Sequence, residues 1–230
     1  MILNGMTSAS GALRYWERRQ EVTANNLANV STDGFKAERT FSLLLNGAPE
    51  AGTQIDSRVG NMRDTGDRLD LALGKDSYFV VQSPGGERFS RGGHLKIDTA
   101  GFLTDPNGNR VLGRNGAIKV GSSPFTVDSQ GSVTVDGKAV EQLRVESAPA
   151  GTDLQHEGGM LLVPGSVRTL IPAGQRDVRQ GAIEESNVDS LGGLVDMISV
   201  QRAYAAVEKS ITLLDHVRET ATSQLGKPAA

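Results

Sequence analysis

The sequence predicts an α+β protein, with long N- and C-terminal helices packed as a coiled-coil-like pair and a central antiparallel β domain between them. Apolar residues recur at alternating intervals of three and four near both chain ends, the spacing of helices that pack along one seam. Between these ends, short runs rich in β-branched residues alternate with glycine-containing turns. We therefore expect a terminal helical domain (residues 1–40 and 181–230), a linker (41–66) and a central β domain (67–180).

The N-terminal helix is predicted from an apolar stripe that runs as far as a turn sequence, Ser31–Gly34. Gln20 and Thr23 are polar at seam positions, where they would fix the register of a helix pair at a cost in stability. Gly5 and Gly11 each weaken the first turns by roughly 1 kcal/mol relative to alanine. The stripe consists of Ile2, Met6, Ala9, Leu13, Trp16, Gln20, Thr23, Leu27 and Val30.

The C-terminal helix is predicted from a second stripe of the same spacing. Ser186–Asp189 has the [ST]-x-x-[DE] pattern of a capping box, and Gly226 and Pro228 mark the end of the helix. A helix this long with one apolar stripe gains most of its stability from a partner that covers the stripe. The seam residues are Met197, Val200, Tyr204, Val207, Ile211 and Leu214.

The two terminal helices are natural partners for each other, and the simplest interpretation is an intramolecular helical hairpin. That hairpin would leave apolar side chains on its outward faces. These side chains are Leu3, Leu191, Leu194, Val195 and Ile198. Because monomeric proteins rarely leave such patches in water, we expect more than two helices to meet, through assembly between chains.

The central domain is predicted from its turns. Asn107-Gly108 lies between two apolar runs, Phe102-Leu103 and Val111-Leu112, which predicts a hairpin whose turn needs positive φ angles. Asn115-Gly116 and Asp136-Gly137 continue the same rhythm. Turns at this spacing are typical of an antiparallel sandwich or partial barrel.

The composition and the sequence motifs indicate neither a catalytic site nor a metal or cofactor site. The chain of 230 residues has no cysteine and three histidines, which lack metal-binding spacing. No nucleophile, phosphate-loop or dinucleotide motif occurs, so we expect neither an enzyme nor a bound metal or cofactor. The net charge of -3 gives no reason to expect nucleic-acid binding, and no apolar window is long enough to span a membrane. The first residues lack the features of a cleaved signal peptide, so export, if any, is expected without one.

The stretch Ala24–Arg39 closely resembles the N-terminal signature of the bacterial flagellar axial proteins, which include rod, hook and hook-associated subunits. Gly181–Asp189, followed by Met197–Tyr204, resembles the C-terminal signature of the same family. Between them, Thr65–Val81 and Phe89–Gly93 look like the β core of rod and hook subunits. The resemblance covers most of the chain.

The resemblance implies a structural subunit of the flagellar rod in the periplasmic part of the basal body. It implies export by the flagellum-specific apparatus, and assembly with copies of itself and with other axial subunits. The short link between Arg39 and Gly66 favours the proximal rod over the distal rod and the hook. We expect helix packing at Met6, Leu13, Trp16, Leu27, Val30, Met197, Val200, Tyr204, Val207, Ile211 and Leu214, and inter-helix hydrogen bonds at Asn25, Asn26, Asn29, Gln201 and Arg202.

Three other functions stay open at this point. A distal rod or hook-type subunit would share the same terminal signatures. A monomeric module could instead use the β domain to recognise a glycan or peptide. A cell-wall hydrolase would need a carboxylate in a groove, and the sequence offers no such arrangement.

Overall fold

The computed structural model describes residues 2–45, 48–74, 77–149 and 154–225. Over residues 2–7, 44–45, 48–49 and 224–225 only the backbone is described. The chain divides into two compact units. We call Met1–Leu27, Glu38–Thr53 and Asp189–Ala230 the helical unit, and Ala28–Ala37 and Gln54–Val188 the β unit.

Both predicted terminal helices are present, as α1 (Ile2–Ala28) and α2 (Ser190–Leu225). The residue that caps α2 differs from the prediction. The backbone N–H of Gly192 donates to Oδ1 of Asp189 at 3.1 Å, so Asp189 is the N-cap. Ser186 instead accepts the N–H of Val188 at 3.3 Å, before the helix begins. Gly226 and Pro228, the predicted end signals, lie outside the described residues.

Two strands follow α1: β1 (Glu38–Leu45) and β2 (Ala48–Ile55) pair with each other as a two-stranded sheet. They occupy much of the segment 41–66, for which the sequence predicts a linker. Phe41 and Leu43 of β1 are 41% and 44% exposed, so this sheet keeps apolar surface in water. A two-stranded sheet has little stability of its own, which makes its attachments to neighbouring elements important.

The β unit is built from antiparallel strands, as predicted. The strands are β3 (Met62–Asp64), β4 (Leu71–Leu73), β5 (Tyr78–Ser83), β6 (Gly86–Ser90), β7 (Lys96–Ile97), β8 (Leu103–Thr104), β9 (Arg110–Val111), β10 (Phe125–Val127), β11 (Ser132–Val135), β12 (Lys138–Gln142), β13 (Val145–Ser147), β14 (Gln155–His156), β15 (Leu161–Val163), β16 (Thr169–Leu170), β17 (Val178–Gln180) and β18 (Ala182–Glu184). The largest sheet has the order β14-β15-β6-β5-β9-β8-β7, with β13 pairing both β5 and β16. A three-stranded sheet, β10-β11-β12, and two strand pairs, β17-β4 and β18-β3, complete the unit within the described residues.

The predicted hairpin at Asn107-Gly108 is confirmed. Thr104 of β8 pairs with Arg110 of β9, and Gly108 adopts a φ of 87° in the turn between them. The Asp136-Gly137 turn joins β11 to β12, with φ angles of 49° and 77°. Two successive positive φ angles are what a type I′ hairpin turn requires, and aspartate and glycine tolerate them best.

Strand β5 lies at the centre of the hydrophobic core and buries both of its faces. Phe79 and Val81 pack into the larger of two apolar clusters, with residues such as Leu103. Tyr78 and Val80 point the other way, into the smaller cluster. Because side chains alternate across a strand, one short run therefore joins the two halves of the core.

Candidate assembly surface

One face of α2 is shielded from solvent, and it carries the predicted seam. Val200 is 0% exposed. The other five seam residues are intermediate in burial, whereas most positions around them are exposed. They are Met197, Tyr204, Val207, Ile211 and Leu214. The burial therefore follows the predicted spacing, and coiled-coil packing along this seam stays a prediction.

The opposite face of α2 presents apolar side chains to solvent. At 3.6 residues per turn, these side chains lie roughly half a turn away from the seam. We call this set the outer face; it comprises Leu191, Leu194, Val195, Ile198, Leu213 and Val217, with exposures of 72%, 49%, 58%, 52%, 66% and 52%. The first four include all the outward α2 residues expected from the sequence, so the expectation of exposed apolar surface is confirmed for them. Leu3 lies outside the described side chains.

The α1 residues expected to pack are partly buried. Leu13, Trp16 and Leu27 have intermediate burial, and the side chain of Met6 lies outside the described residues. The Trp16 ring meets Tyr15 edge-on at 5.2 Å, and the Arg19 guanidinium lies 5.5 Å from its centre. Val22, which the stripe did not include, is only 4% exposed. Val30 lies beyond the helix, in the β unit, and is half-buried.

Inter-helix hydrogen bonds by the five polar residues named in the sequence analysis stay a prediction, and the structure describes other partners for two of them. Asn26 bonds to the backbone of Glu38 on β1. Asn29 accepts the hydroxyl of Thr32 at 3.2 Å, in the turn that follows α1. The three remaining candidates are exposed to solvent; they are Asn25, Gln201 and Arg202. The described hydrogen bonds of Asn26 thus hold the hairpin to α1 instead of joining two helices.

The sequence analysis missed a buried charge cluster inside the β unit, made of Lys36, Arg91 and Glu184. Nζ of Lys36 lies 2.6 Å from Oε1 of Glu184, and Nη2 of Arg91 lies 2.5 Å from Oε2. The side chains are 2%, 2% and 1% exposed respectively. Each of the three comes from a segment that carries part of the family resemblance. We call this set the charge junction.

Backbone groups complete the charge junction. Arg91 donates to the carbonyls of Gly74 and Ser77 at 2.7 and 2.5 Å, and Lys36 donates to the carbonyl of Arg58 at 2.7 Å. The N–H of Gly60 donates to Oε1 of Glu184 at 2.8 Å. Burial is the main cause that lowers the pKa of Lys36, and the charge of Arg91 adds to it, while Glu184 acts in the opposite direction.

Asn187 ties the same region together. Its Oδ1 accepts the N–H of Ala37 at 2.7 Å, and its Nδ2 donates to the carbonyls of Asp56 and Arg58 at 2.9 and 2.8 Å. Nearby, the Phe35 ring stacks on His156 with centroids 4.8 Å apart. These contacts fix the segment after α1 and the segment before α2 to the rest of the β unit.

The described residues contain no cluster of three or more histidine or carboxylate side chains suited to a metal ion. Among the helices in the described part of the chain, none is long and apolar enough to cross a membrane. A long helix with an exposed apolar face, such as α2, is typical of a structural protein that assembles.

Comparisons with known proteins agree with this class. A family model described as flagella basal body rod protein matches residues 6–36. The flagellar hook protein FlgE/F/G D1 domain matches residues 72–135, and the flagellar basal body rod FlgEFG protein C-terminal matches residues 179–225. The three matches follow the order of the chain, and each includes one residue of the charge junction: Lys36, Arg91 and Glu184 in turn.

Individual relatives are similar along nearly their whole length. The flagellar basal-body rod protein FlgF of Escherichia coli is 30% identical, covering 90% of this chain and 92% of the relative. FlgF of Caulobacter vibrioides is 28% identical, with coverages of 91% and 93%. FlgG of Bacillus subtilis is 26% identical, with coverages of 94% and 97%. The chain belongs to the family of flagellar basal-body rod proteins, which are structural proteins and not enzymes.

Proposed function

We propose that this chain is a subunit of the proximal flagellar rod and polymerises through its terminal helices. The observation that carries the proposal is the outer face of α2, where Leu191, Val195 and Ile198 are each more than half exposed. Burying such side chains stabilises an assembly by roughly 25 cal/mol per Å² of apolar surface. A second helix from a neighbouring copy or a related axial subunit would cover them.

The two faces of α2 suggest how the polymer forms. The seam is partly buried within the single chain, and Val200 is fully buried, while the outer face is exposed and available to contact another subunit. A contact between two different surfaces generates a helical polymer when the rotation from one subunit to the next does not close a ring. Contacts along the length of a long helix also suit a shaft that transmits torque, because many neighbours share the load.

The proximal position is supported by the short link between Arg39 and Gly66. A single hairpin, β1–β2, occupies most of it. The relatives include proteins named FlgF and FlgG, so a distal position is the alternative to be tested. We place the subunit in the periplasmic part of the basal body, delivered by the flagellar export apparatus, with its own copies and other rod subunits as neighbours.

Assembly can be tested on the purified full-length chain by sedimentation velocity over a concentration series, followed by electron microscopy. We expect species larger than the monomer at high concentration. The double variant Leu194→Gln/Ile198→Gln should shift assembly to at least tenfold higher concentration, because it removes apolar surface from the outer face. A matched control is Val140→Gln, which changes an exposed valine on β12. A chain that stays monomeric at every concentration, with or without other rod subunits, would contradict the proposal.

The position along the rod needs a separate test. A label fused at an exposed loop of the β unit, such as Asn107–Gly108, would be imaged in isolated basal bodies. We expect label at the end of the rod nearest the inner membrane. Label along the distal rod or in the hook would assign the chain to that part instead.

A further inference from the structure

The charge junction joins parts of the chain that are far apart in sequence. Lys36 precedes Glu184 by 148 residues, and Arg91 precedes it by 93. Glu184 divides its carboxylate between the two cations, since Oε1 faces Lys36 and Oε2 faces Arg91. One anion near the end of the chain therefore serves two cations that come much earlier.

The energetics of the junction are asymmetric. A complete buried ion pair contributes little relative to apolar residues of similar volume, but a buried charge that has lost its partner is strongly destabilising. Lys36 and Arg91 also repel each other: burial is the main cause that lowers the pKa of Lys36, and the positive charge of Arg91 adds to it. Without Glu184, the native positions of Lys36 and Arg91 would place two like charges in a largely dry interior.

Strand β18, which carries Glu184, and the preceding strand β17 also close the apolar core. Val178 of β17 belongs to the same cluster as Leu71 and Phe79, and β17 pairs with β4 along its length. Ile183 of β18 is 3% exposed. The segment 178–184 therefore carries both apolar side chains that cover the core and the carboxylate that pairs with Lys36 and Arg91.

We infer that Glu184 is a folding checkpoint: the β unit reaches its native packing only when β18 is in place and the Glu184 carboxylate pairs with both Lys36 and Arg91. A chain that emerges N-terminus first, from a ribosome or a narrow channel, exposes both cations long before Glu184. Its β unit would stay unfolded until nearly the whole chain has emerged. This order of folding follows from the junction alone and does not depend on where the subunit lies in the rod.

Pulse-labelling hydrogen exchange during refolding of the full-length chain tests the order directly. We expect the amides of Val80, Leu103 and Ile183 to gain protection at the same rate, because the core and β18 form together. Protection of Val80 and Leu103 that precedes protection of Ile183 by tenfold or more in time would overturn the inference. The measurement uses the unmodified chain, so it decides the question even where a variant fails to fold.

Variants provide the second test. Glu184→Gln keeps the shape of the side chain and removes its charge, and it should lower the folding equilibrium constant by about 100-fold or more. Glu184→Asp, which keeps the charge, should be milder. Glu185→Gln is the matched control, because Glu185 is 41% exposed and pairs with Arg63 at the surface. If Glu184 is a checkpoint, most of the loss appears as slower folding; a loss that appears mainly as faster unfolding would refute it.

Discussion

The side chain of Asn26 pairs with the backbone of Glu38 in the way that a neighbouring β-strand would. Its Nδ2 donates to the carbonyl of Glu38 at 2.8 Å, and its Oδ1 accepts the N–H of Glu38 at 2.9 Å. The carboxylate of Glu38 also lies 3.1 Å from Nη2 of Arg18, on the same helix. The last turns of α1 therefore hold the first residue of β1 at three points.

Asn26→Ala should loosen this end of the hairpin. It removes both hydrogen bonds and leaves the backbone groups of Glu38 without that partner, which costs on the order of 1–2 kcal/mol locally. We expect the amide of Glu38 to exchange its hydrogen roughly tenfold faster, measured by native-state hydrogen exchange. Glu17→Ala, an exposed change on the same helix, is the control and should leave that amide unaffected. Equal exchange rates in the two variants would show that the Asn26 contact is not needed.

Asn26 also illustrates what local patterns reveal. Heptad spacing and glycine turns depend on neighbouring residues, so the helices and the Asn107-Gly108 hairpin could be predicted. The pairing of β1 with β2 could not, because Pro49, Gly52 and the polar residues around them are unusual in strands. An asparagine near a helix end is compatible with many partners, and only the path of the chain brings Glu38 to it.

Gly34 should tolerate no side chain. Its φ is 71°, and a Cβ built there would overlap the backbone of Arg91 and Gly92. Its N–H also donates to the carbonyl of Glu184 at 2.7 Å, so a shift of Gly34 would disturb the charge junction. Gly34→Ala should lower the free energy of unfolding by about 3 kcal/mol or more, combining the backbone strain with the overlap. Urea denaturation monitored by circular dichroism measures the effect.

The matched control for Gly34 is Gly108→Ala. Gly108 has a φ of 87°, and nothing lies within 4 Å of a Cβ built on it. Only backbone strain remains, so the loss should be about 1–2 kcal/mol. Losses of equal size at the two glycines would mean that the packing of Gly34 against Arg91 contributes nothing.

The charge junction was missed for a physical reason that applies to most buried ion pairs. Lysine, arginine and glutamate are usually exposed, so each of the three is assigned to the surface when it is considered alone. The three side chains meet only in the folded chain, where strand β18 places the carboxylate of Glu184 within 2.6 Å of Lys36 and 2.5 Å of Arg91. The signal in the sequence that could have indicated it is that all three lie within segments that resemble the flagellar axial proteins.

Acid should weaken the turn at Asp98. Oδ1 of Asp98 accepts the N–H groups of Phe102 and Ala100, each at 2.8 Å. The Phe102 hydrogen bond is the largest cause that holds the pKa of Asp98 below its ordinary value of 3.8, and Ala100 and Arg110 add to it. Because the folded state favours the charged carboxylate, the stabilisation is complete above the unfolded pKa. It is lost as pH falls through the lower, folded value.

Urea denaturation at pH values from about 2 to 7 tests this dependence. The protein should lose stability below about pH 4, and Asp98→Asn should lose less between pH 4 and 2, because it has no proton to gain there. Asp64→Asn, which removes an exposed carboxylate on β3, is the matched control for the loss of one surface charge. Identical slopes for the protein and for Asp98→Asn would exclude Asp98 as a source of acid sensitivity.

Shortening a side chain should have different effects on the two faces of α2. On the seam it should lower the stability of the single chain, and on the outer face it should weaken assembly. Val200 is 0% exposed and Ile198, two residues earlier, is 52% exposed. Val200→Ala should destabilise the single chain by about 1–3 kcal/mol, because it removes buried apolar atoms and leaves a small cavity. Ile198→Ala should change it by no more than about 0.5 kcal/mol, since the side chain is already in water.

For assembly, we expect the larger effect from Ile198→Ala and the smaller effect from Val200→Ala. Ile198→Ala removes surface that a neighbouring subunit is proposed to bury, whereas Val200 is covered before any neighbour arrives. Thermal unfolding of dilute monomer and sedimentation at high concentration would be measured on the same two proteins. We expect Val200→Ala to melt at a lower temperature and, while folded, to assemble normally, and Ile198→Ala to melt normally and assemble poorly. If Ile198→Ala assembled as well as the unmodified chain, the outer face at this position would lie outside the contact between subunits, and the polymer would have to form through other surfaces.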